Sequence, residues 1–362
     1  MSAGRTTYWD YIRVEPLLRL QGGLGEDDAE LGNAELTFIT VHQVYELWFK
    51  LLLRELATVR DLLAAPHVPE TRMAQGVRSL DRMQRIFRAA VQHWEVVESL
   101  NTTDYLDFRE KLFPASGFQS AQLREIEVLM GLGDEERVGL GAQGAWLKAL
   151  RGPSGETSPA LARVEARRKA GPTLREALEA WLWRTPIRGS VPGDAGDESV
   201  VRGFLDEYGR ALGVQSGWSA WALGSKTPED PRLAEEMRTA LAWLSPEDPR
   251  RRRIRAAILF IEGYRDLPLL AWPHQLLSGL VEVEQLFIIF RQRHARMVER
   301  IIGRRMGTGG SSGLAYLEQT ATAYRIFADL WASKTLLVQS ALLPPLADPG
   351  PYQFRREGPP GA

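Results

Sequence analysis

Apolar side chains recur every three or four residues along most of the chain, whereas sustained alternation of apolar and polar residues is hard to find. The clearest stripe lies in residues 34–65 and consists of Val44, Leu47, Trp48, Leu51, Leu52, Leu56, Val59 and Leu63. This spacing predicts a long helix with one wide buried face. Comparable spacing predicts further helices over residues 72–100, 119–132, 275–303 and 314–341. We therefore expect an all-α fold built as a helical bundle.

Glycine, proline and serine interrupt the helical pattern at residues 152–159, 188–197 and 306–313. Residues 133–255 are charged and helical only in pieces, and nothing in them indicates chemistry. We interpret 133–255 as a variable helical elaboration packed on the bundle, because no clean domain boundary separates it. The expected organisation is one helical domain over residues 1–343, followed by a Pro- and Gly-rich tail over 344–362 that is predicted to be flexible.

The charge of the chain is balanced, with 45 lysines and arginines against 46 acidic side chains among 362 residues. Such a chain has no general attraction to nucleic acid or to an anionic membrane. No apolar run reaches the about 18 residues of a membrane-spanning helix, and the first ten residues lack the apolar stretch of a secretory signal. We expect a soluble, cytoplasmic protein that binds neither nucleic acid nor membrane.

The chain contains no cysteine, and this excludes several classes of redox site. Disulfides, thiolate nucleophiles, iron–sulfur clusters and thiolate-ligated haem all require cysteine. Any metal chemistry must therefore use carboxylates and the five histidines, which are His42, His67, His93, His274 and His294.

His294 lies in the segment FRQRHARMVERIIG, where it continues an apolar helical seam formed by Phe287, Phe290, Met297 and Ile301. An imidazole in an apolar slot suits an axial haem ligand, because the iron needs a neutral nitrogen and the macrocycle needs an apolar pocket. A buried histidine bonded to a carbonyl group would produce the same pattern. The arginines of this segment are typical of a solvated helix face: Arg291, Arg293, Arg296 and Arg300.

His42 belongs to the first long helix, and Phe38, Tyr45 and Phe49 share one face of that helix with it. An aromatic slot with one imidazole could hold a flat ligand. The alternative is an aromatic core stripe that includes a hydrogen-bonded histidine.

Tyr105 and Arg109 lie four residues apart on another predicted helix. A guanidinium group offers a planar fork to a carboxylate, and a neighbouring phenol can add one donor. The pair could bind the carboxylate of an amino acid, or it could be an ordinary surface pair.

The string GTGGSSG at 307–313 combines four glycines with three hydroxyl side chains. Such a string lets the backbone approach a ligand closely. It lacks the lysine of a phosphate-binding Walker loop. It is interpreted either as a mobile lid over a site or as a flexible linker between two helices.

Several strings together resemble the tryptophan 2,3-dioxygenase family. They occur in the family's order and reach both ends of the chain: YWDYIRVEPLL (8–18), FITVHQVYELWFKLLLREL (38–56), WEVVESL and YLDFR within 94–109, ASGFQSAQLREIEVLMG (115–131), RHARMVERIIGRRMGTGGSSGLAYL (293–317) and FADLWASKTLL (327–337). The string at 293–317 is the most specific of them.

The resemblance implies an all-helical homotetramer that binds haem b and opens the indole pyrrole ring of L-tryptophan with O₂, giving N-formylkynurenine. It assigns His294 to the proximal haem ligand and His42 to the distal histidine that faces the indole N–H.

The resemblance also assigns the remaining candidate residues. Phe38 lies beside the indole, and Tyr105 and Arg109 hold the substrate carboxylate. Thr308 contacts the amino-acid end of the substrate, and Tyr8 and Tyr11 reach into a neighbouring subunit's pocket. The haem contacts are Ser116, Gly117 and Arg124, the last paired with a propionate.

The sequence departs from the family's pattern around the haem. Phe290 and Gln292 stand where the family often has Trp and Tyr, Ala115 replaces a usual Ser, and Val44-Tyr45 replaces a pair such as Thr-Ser. Two alternatives therefore stay open. One is a biosynthetic haem monooxygenase of a modified tryptophan or related indole, and the other is a helical scaffold without haem.

Overall fold

The computed structural model describes residues 6–113, 117–137, 145–152, 154–222, 231–305 and 313–353. These residues are predominantly α-helical and form no strand, apart from one isolated bridge between Ile187 and Ser190. The all-α prediction is confirmed. None of the helices in the described ranges combines the length and the apolar character needed to span a membrane.

The helices are α1 (Tyr8–Ile12), α2 (Val14–Leu17), α3 (Asn33–Ala64), α4 (Glu70–Glu98), α5 (Thr102–Arg109), α6 (Ala121–Met130), α7 (Ala145–Lys148), α8 (Pro159–Lys169), α9 (Leu174–Trp183), α10 (Asp197–Ala222), α11 (Pro231–Leu244), α12 (Pro249–Gly263), α13 (Pro268–Ile302), α14 (Gly313–Ala323) and α15 (Ala328–Thr335). Short 3₁₀ turns occupy several of the connections between them.

The four predicted helices before residue 304 are present as α3, α4, α6 and α13. The prediction of one final helix over residues 314–341 is wrong, because the chain breaks there between α14 and α15. The buried carboxylate of Glu284 accepts hydrogen bonds from the backbone N–H groups of Ile326 and Phe327 and from Trp331 Nε1. This carboxylate satisfies donors at the start of α15, so a new helix can begin there.

The Cα positions group the chain into two compact units. Unit 1 comprises Met1–Arg54, Gln84–Ala170 and Leu286–Tyr324, and unit 2 comprises Glu55–Met83, Gly171–Gln285 and Arg325–Ala362. Helices α3, α4 and α13 contribute residues to both units. The expected organisation as one domain with a helical elaboration over 133–255 stays a prediction.

Unit 1 contains α5, α6 and α8 together with parts of the three long helices. Ser120 caps the N-terminus of α6 by accepting a hydrogen bond from the backbone N–H of Leu123. Gly131 ends the helix in the left-handed conformation, at φ 112°. A small apolar core holds α6 against α8 and consists of Ala121, Trp146, Leu150, Leu161 and Val164.

Unit 2 is held together by buried hydrogen bonds as well as by apolar packing. Arg253 on α12 is buried, forms an ion pair with Asp197 and donates to backbone carbonyls, including that of Thr185. The Tyr352 hydroxyl donates to the carbonyl of Pro186 and accepts from the N–H of Gly189. These bonds fix the chain up to residue 353, and the rest of the predicted tail lies outside the described residues.

Candidate active site

A cavity of about 450 Å³ in unit 1 has His42 and His294 in its walls. The other lining residues are mostly aromatic or aliphatic: Leu17, Leu20, Gln43, Tyr45, Glu46, Leu47, Phe49, Trp94, Gly117, Ser120, Leu123 and Phe290. Pockets of this size and composition are typical of sites for small molecules and cofactors. The fold thus brings two histidines from distant parts of the sequence to one apolar cavity.

His42 stands on the α3 wall in an aromatic environment. Its ring centroid lies 4.1 Å from that of Phe38, one turn earlier, and 6.4 Å from that of Tyr45. Burial lowers the pKa of His42, and this effect outweighs the backbone hydrogen bond to Phe38 and the nearby Glu46, which both act to raise the pKa. The imidazole is therefore neutral at pH 7.

The tautomer of His42 follows from a single contact. Nδ1 lies 2.7 Å from the carbonyl oxygen of Phe38. A carbonyl oxygen only accepts hydrogen bonds, so Nδ1 carries the proton. In a neutral imidazole the other nitrogen, Nε2, then has a lone pair and acts as a hydrogen-bond acceptor.

His294 stands on the α13 wall and packs against aromatic rings. The Trp94 ring lies parallel to the imidazole, with centroids 4.6 Å apart and planes inclined by 5°. Phe290, one turn earlier on α13, has its centroid 6.5 Å away. Burial lowers the pKa of His294 to about 3, with smaller contributions from His42, Arg291 and Arg124. This imidazole is neutral as well.

Tyr105 and Arg109 lie on α5, next to the aromatic group that surrounds His42. The rings of Tyr105 and Phe108 have their centroids 6.0 and 5.4 Å from that of Phe38. Arg109 hydrogen-bonds the Tyr105 phenol, although burial is the larger effect and raises the phenol's pKa. The fold therefore brings Phe38, His42, Tyr105 and Arg109 together.

Glu46 is a cavity residue that the sequence analysis missed. It lies one turn after His42 on α3, and its two carboxylate oxygens accept hydrogen bonds from Ser120 Oγ (2.6 Å) and Gln122 Nε2 (2.7 Å). These bonds join α3 to the start of α6, so Glu46 fixes the segment that includes Gly117 and Ser120. The i, i+4 spacing from His42 was the signal available in the sequence.

The N-terminal segment supplies Leu17 and Leu20 to the cavity, and the Gln43 side chain binds the carbonyl of Leu20 at 2.6 Å. Tyr8 and Tyr11, by contrast, do not line the cavity and are 72% and 80% exposed. Several other large apolar side chains of this segment are also exposed: Trp9, Ile12, Leu17, Leu18, Leu20 and Leu24. Exposed apolar patches of this kind are typical of interaction surfaces.

Arg124 is buried beside the cavity residue Leu123 and forms an ion pair with Glu127 at 3.0 Å. Arg291 also pairs with Glu127 and is only 4% exposed. The expectation that Arg291 belongs to a solvated face is therefore wrong, because α6 covers this side of α13 and provides a buried carboxylate. Ser116 and Thr308 lie outside the described residues.

Comparison with known proteins decides the family. The family model for tryptophan 2,3-dioxygenase matches residues 1–193 and 248–337, which is most of the chain. The protein belongs to the tryptophan 2,3-dioxygenase family. This is a family of oxidoreductases, so the resemblance seen in the sequence is confirmed.

Relatives carry the same family name. A tryptophan 2,3-dioxygenase of Sorangium cellulosum is 49% identical over 98% of this chain and 88% of its own length. Tryptophan 2,3-dioxygenase 2 of Ralstonia nicotianae is 49% identical over 97% of this chain and 98% of its own length. A tryptophan 2,3-dioxygenase-like protein of Xanthomonas campestris is 47% identical over 72% of this chain.

The family match includes every candidate site residue, from Tyr8 to Thr308. Residues 194–247, which contain α10 and α11, lie outside that match. This segment falls within the predicted elaboration at 133–255.

Proposed function

We propose that the protein is a haem-dependent dioxygenase that opens the pyrrole ring of L-tryptophan with O₂ to give N-formylkynurenine. The observation that carries the proposal is the pair His42 and His294 in the walls of one apolar cavity, in a member of the tryptophan 2,3-dioxygenase family. A haem oxygenase of this kind needs one axial imidazole and an open opposite face for O₂. His294 would supply the ligand, and the His42 wall would face the substrate.

The residues around the cavity fit haem b, the cofactor that this family implies. His294 is neutral, which is the form of imidazole that binds iron. The lining is mainly aromatic and aliphatic, as a macrocycle requires. Trp94 Nε1 is buried, and no hydrogen-bond partner for it exists among the described residues. An acceptor on a bound group would satisfy this donor.

Haem would supply the iron at which O₂ is activated, and the protein would supply orientation and exclusion of water. His294 would hold the iron, with the parallel ring of Trp94 limiting rotation of the imidazole. Ser116, Gly117 and Arg124 are proposed to contact the haem. Gly117 lines the cavity, which supports its assignment. The role of Arg124 is proposed from the family match.

His42 would orient the indole and accept its proton. Because Nδ1–H is engaged by the carbonyl of Phe38, the Nε2 lone pair is available to the indole N–H. The electrons for attack on O₂ come from the indole ring, so His42 needs to be an acceptor and only a modest base. The Phe38 ring beside it would pack against the indole.

Arg109 and Tyr105 would bind the substrate carboxylate, with the guanidinium group forming two parallel hydrogen bonds and the phenol one. Their contact with each other and with the aromatic group around His42 supports this role. Thr308 is proposed to contact the amino-acid end of the substrate. A substrate held by its amino-acid end in this way would place its indole in the apolar part of the cavity.

The same proposal includes a homotetramer in which Tyr8 and Tyr11 complete the pocket of a neighbouring subunit. The exposure of both rings, and of the apolar side chains around them, supports it, since such a surface is normally covered by protein. The cytoplasmic location expected from the sequence is part of this proposal.

The decisive experiment is turnover of L-tryptophan by the purified haem protein under ¹⁸O₂. We expect a Soret band and a ring-opened product that carries both labelled atoms, detected by mass spectrometry. An intact ring with one labelled oxygen would identify a monooxygenase, and a protein that takes up no haem would identify a scaffold. The relatives favour neither of these alternatives, because those at 49% identity are named dioxygenases.

A further inference from the structure

A buried cluster of charged side chains lies in unit 1, outside the cavity lining. It consists of Glu127 and the guanidinium groups of Arg124, Arg137 and Arg291. We call these four residues the guanidinium cluster. The Glu127 carboxylate is fully buried and pairs with Arg124 at 3.0 Å, with Arg137 at 2.6 Å and with Arg291. The three arginine side chains are only 4%, 5% and 4% exposed.

The guanidinium cluster retains an excess of positive charge, because three cations face one carboxylate. The next carboxylate, Asp134, lies 3.7 Å from Arg137, but it is 32% exposed and pairs at 2.6 Å with a further cation, Arg168. Glu125 on the same helix is likewise shared between Arg163 and Arg167. The haem propionate proposed to pair with Arg124 would offset one of these charges, so that Arg137 and Arg291 would still face the single buried carboxylate of Glu127.

The surroundings of the guanidinium cluster keep water away from these charges. Arg291 lies over the rings of Phe287 and Tyr324, with its carbon Cζ 4.4 and 4.8 Å from their centroids. Tyr316 accepts a hydrogen bond from Arg124 at 3.4 Å. In such an environment charges act on one another more strongly than at a wet surface, and dissolved salt screens them much less.

The guanidinium cluster is adjacent to the proposed haem ligand. Arg291 precedes His294 by three residues on α13, so the two side chains lie on neighbouring positions of one helix face. Arg291 and Arg124 lie on α13 and α6, and both helices also contribute residues to the lining of the cavity with His294. Glu127 on α6 fixes these two guanidinium groups in place through its ion pairs.

We propose that the guanidinium cluster raises the reduction potential of the haem iron, and that Arg291 is the main residue responsible. Ferric haem carries one positive charge more than ferrous haem, so a fixed, buried positive charge near the iron disfavours the ferric state. Net charge and burial around a cofactor are established means by which proteins set its potential. The ferrous state is the one that binds O₂, and the cluster thus keeps the enzyme ready for its substrate. This inference rests on the proposed function, because it requires haem at His294.

The experiment is a spectroelectrochemical titration of the haem-loaded, full-length protein with redox mediators and without tryptophan. Arg291→Gln should shift the ferric-to-ferrous ratio at a given applied potential at least tenfold towards ferric, which corresponds to 59 mV for a one-electron couple. Arg137→Gln should shift it in the same direction, and Glu127→Gln in the opposite direction. The effect of Arg291→Gln should persist at high salt.

Arg293 provides the matched control. It precedes His294 directly and Arg293→Gln removes the same charge, but this side chain is 38% exposed and pairs with Glu98 at 2.6 Å. We expect its substitution to leave the potential nearly unchanged. Circular dichroism and the haem content of each variant verify folding, and Arg137→Gln decides the matter if Arg291→Gln does not fold.

The outcomes separate this inference from the proposed function. Folded variants of Arg291 and Arg137 that keep the wild-type potential would overturn the inference alone, as would equal shifts in Arg291→Gln and Arg293→Gln. A haem protein with the expected shifts but without ring opening of tryptophan would overturn only the proposed function. A wild-type protein that takes up no haem would overturn both.

Discussion

The Trp94 indole lies flat against the His294 imidazole, with centroids 4.6 Å apart and planes inclined by 5°. Tyr45 packs on Trp94 at 4.4 Å, and its hydroxyl donates to the carbonyl of Ala90, one turn before Trp94 on α4. The orientation of the proposed iron ligand is thus set by rings from α3 and α4. A ligand held in one orientation by packing requires little rearrangement when it binds its metal.

His294→Ala should purify with little haem, because the chain has no cysteine and His294 is the proposed sole protein ligand. Haem content is measured from the Soret absorbance per protein and by a pyridine haemochrome assay. His93→Ala is the matched control, since His93 packs on Tyr45 at 5.4 Å but does not line the cavity. Full haem occupancy in His294→Ala would refute the assignment.

His42→Ala should retain haem and lose turnover by about 10²–10⁴-fold, the usual contribution of a positioned proton-transfer group. His42→Gln should lose less, because its carbonyl oxygen can still accept a hydrogen bond from the indole. The measurement is kcat together with the Soret band. Loss of haem in His42→Ala would show that the roles of the two histidines are reversed.

The pH dependence of turnover should reflect the lowered pKa of His42. Burial disfavours the protonated ring, so the imidazole stays an acceptor below the ordinary histidine pKa of 6.5. Activity should therefore hold as the pH falls through 6.5 and decline only at lower pH, where His42 becomes protonated. A profile of kcat against pH that falls with a midpoint at 6.5 or above would contradict this expectation.

Arg109→Leu should weaken binding of L-tryptophan at least tenfold, because a charge-assisted contact is worth about 1.5–3 kcal/mol. Arg109→Lys should recover only part of this loss, since an ammonium group lacks the planar fork. Lys111→Leu is the control, as Lys111 is exposed and pairs with Glu35. Tryptamine, which lacks the carboxylate, should be a poor substrate of the wild type, and equal turnover of both compounds would exclude the carboxylate site.

Replacing both Tyr8 and Tyr11 by Ser should reduce activity and leave the haem content unchanged, because the two rings are proposed to complete a neighbour's pocket. Leu24→Ser serves as a control, since Leu24 is exposed in the same segment. Co-expression with Arg109→Leu should restore part of the activity, as some mixed subunits then combine an intact pocket with intact tyrosines. An active monomer in solution, or no loss of activity in the double variant, would disprove this arrangement.

Sequence and structure agree where a local pattern determines the answer. The spacing of apolar residues predicts α3, α4, α6 and α13, because amphipathic helices bury one face wherever they pack. The pattern around His42 and His294 predicts apolar surroundings for both, and the structure has both in the walls of the same cavity. The break between α14 and α15 could not be predicted from local residues. It depends on the carboxylate of Glu284, on α13, which accepts a hydrogen bond from the backbone at the start of α15.

The sequence by itself determined the helical class, the absence of thiolate chemistry and the family, because composition and ordered motifs do not depend on how the chain is packed. Only the tertiary structure decided which side chains meet. It set the tautomer of His42 through the Phe38 carbonyl, placed Glu46 on Ser120 and Gln122, and buried Arg291 against Glu127. An arginine on a helix is solvated or buried according to what packs over it, and that partner comes from a remote part of the chain.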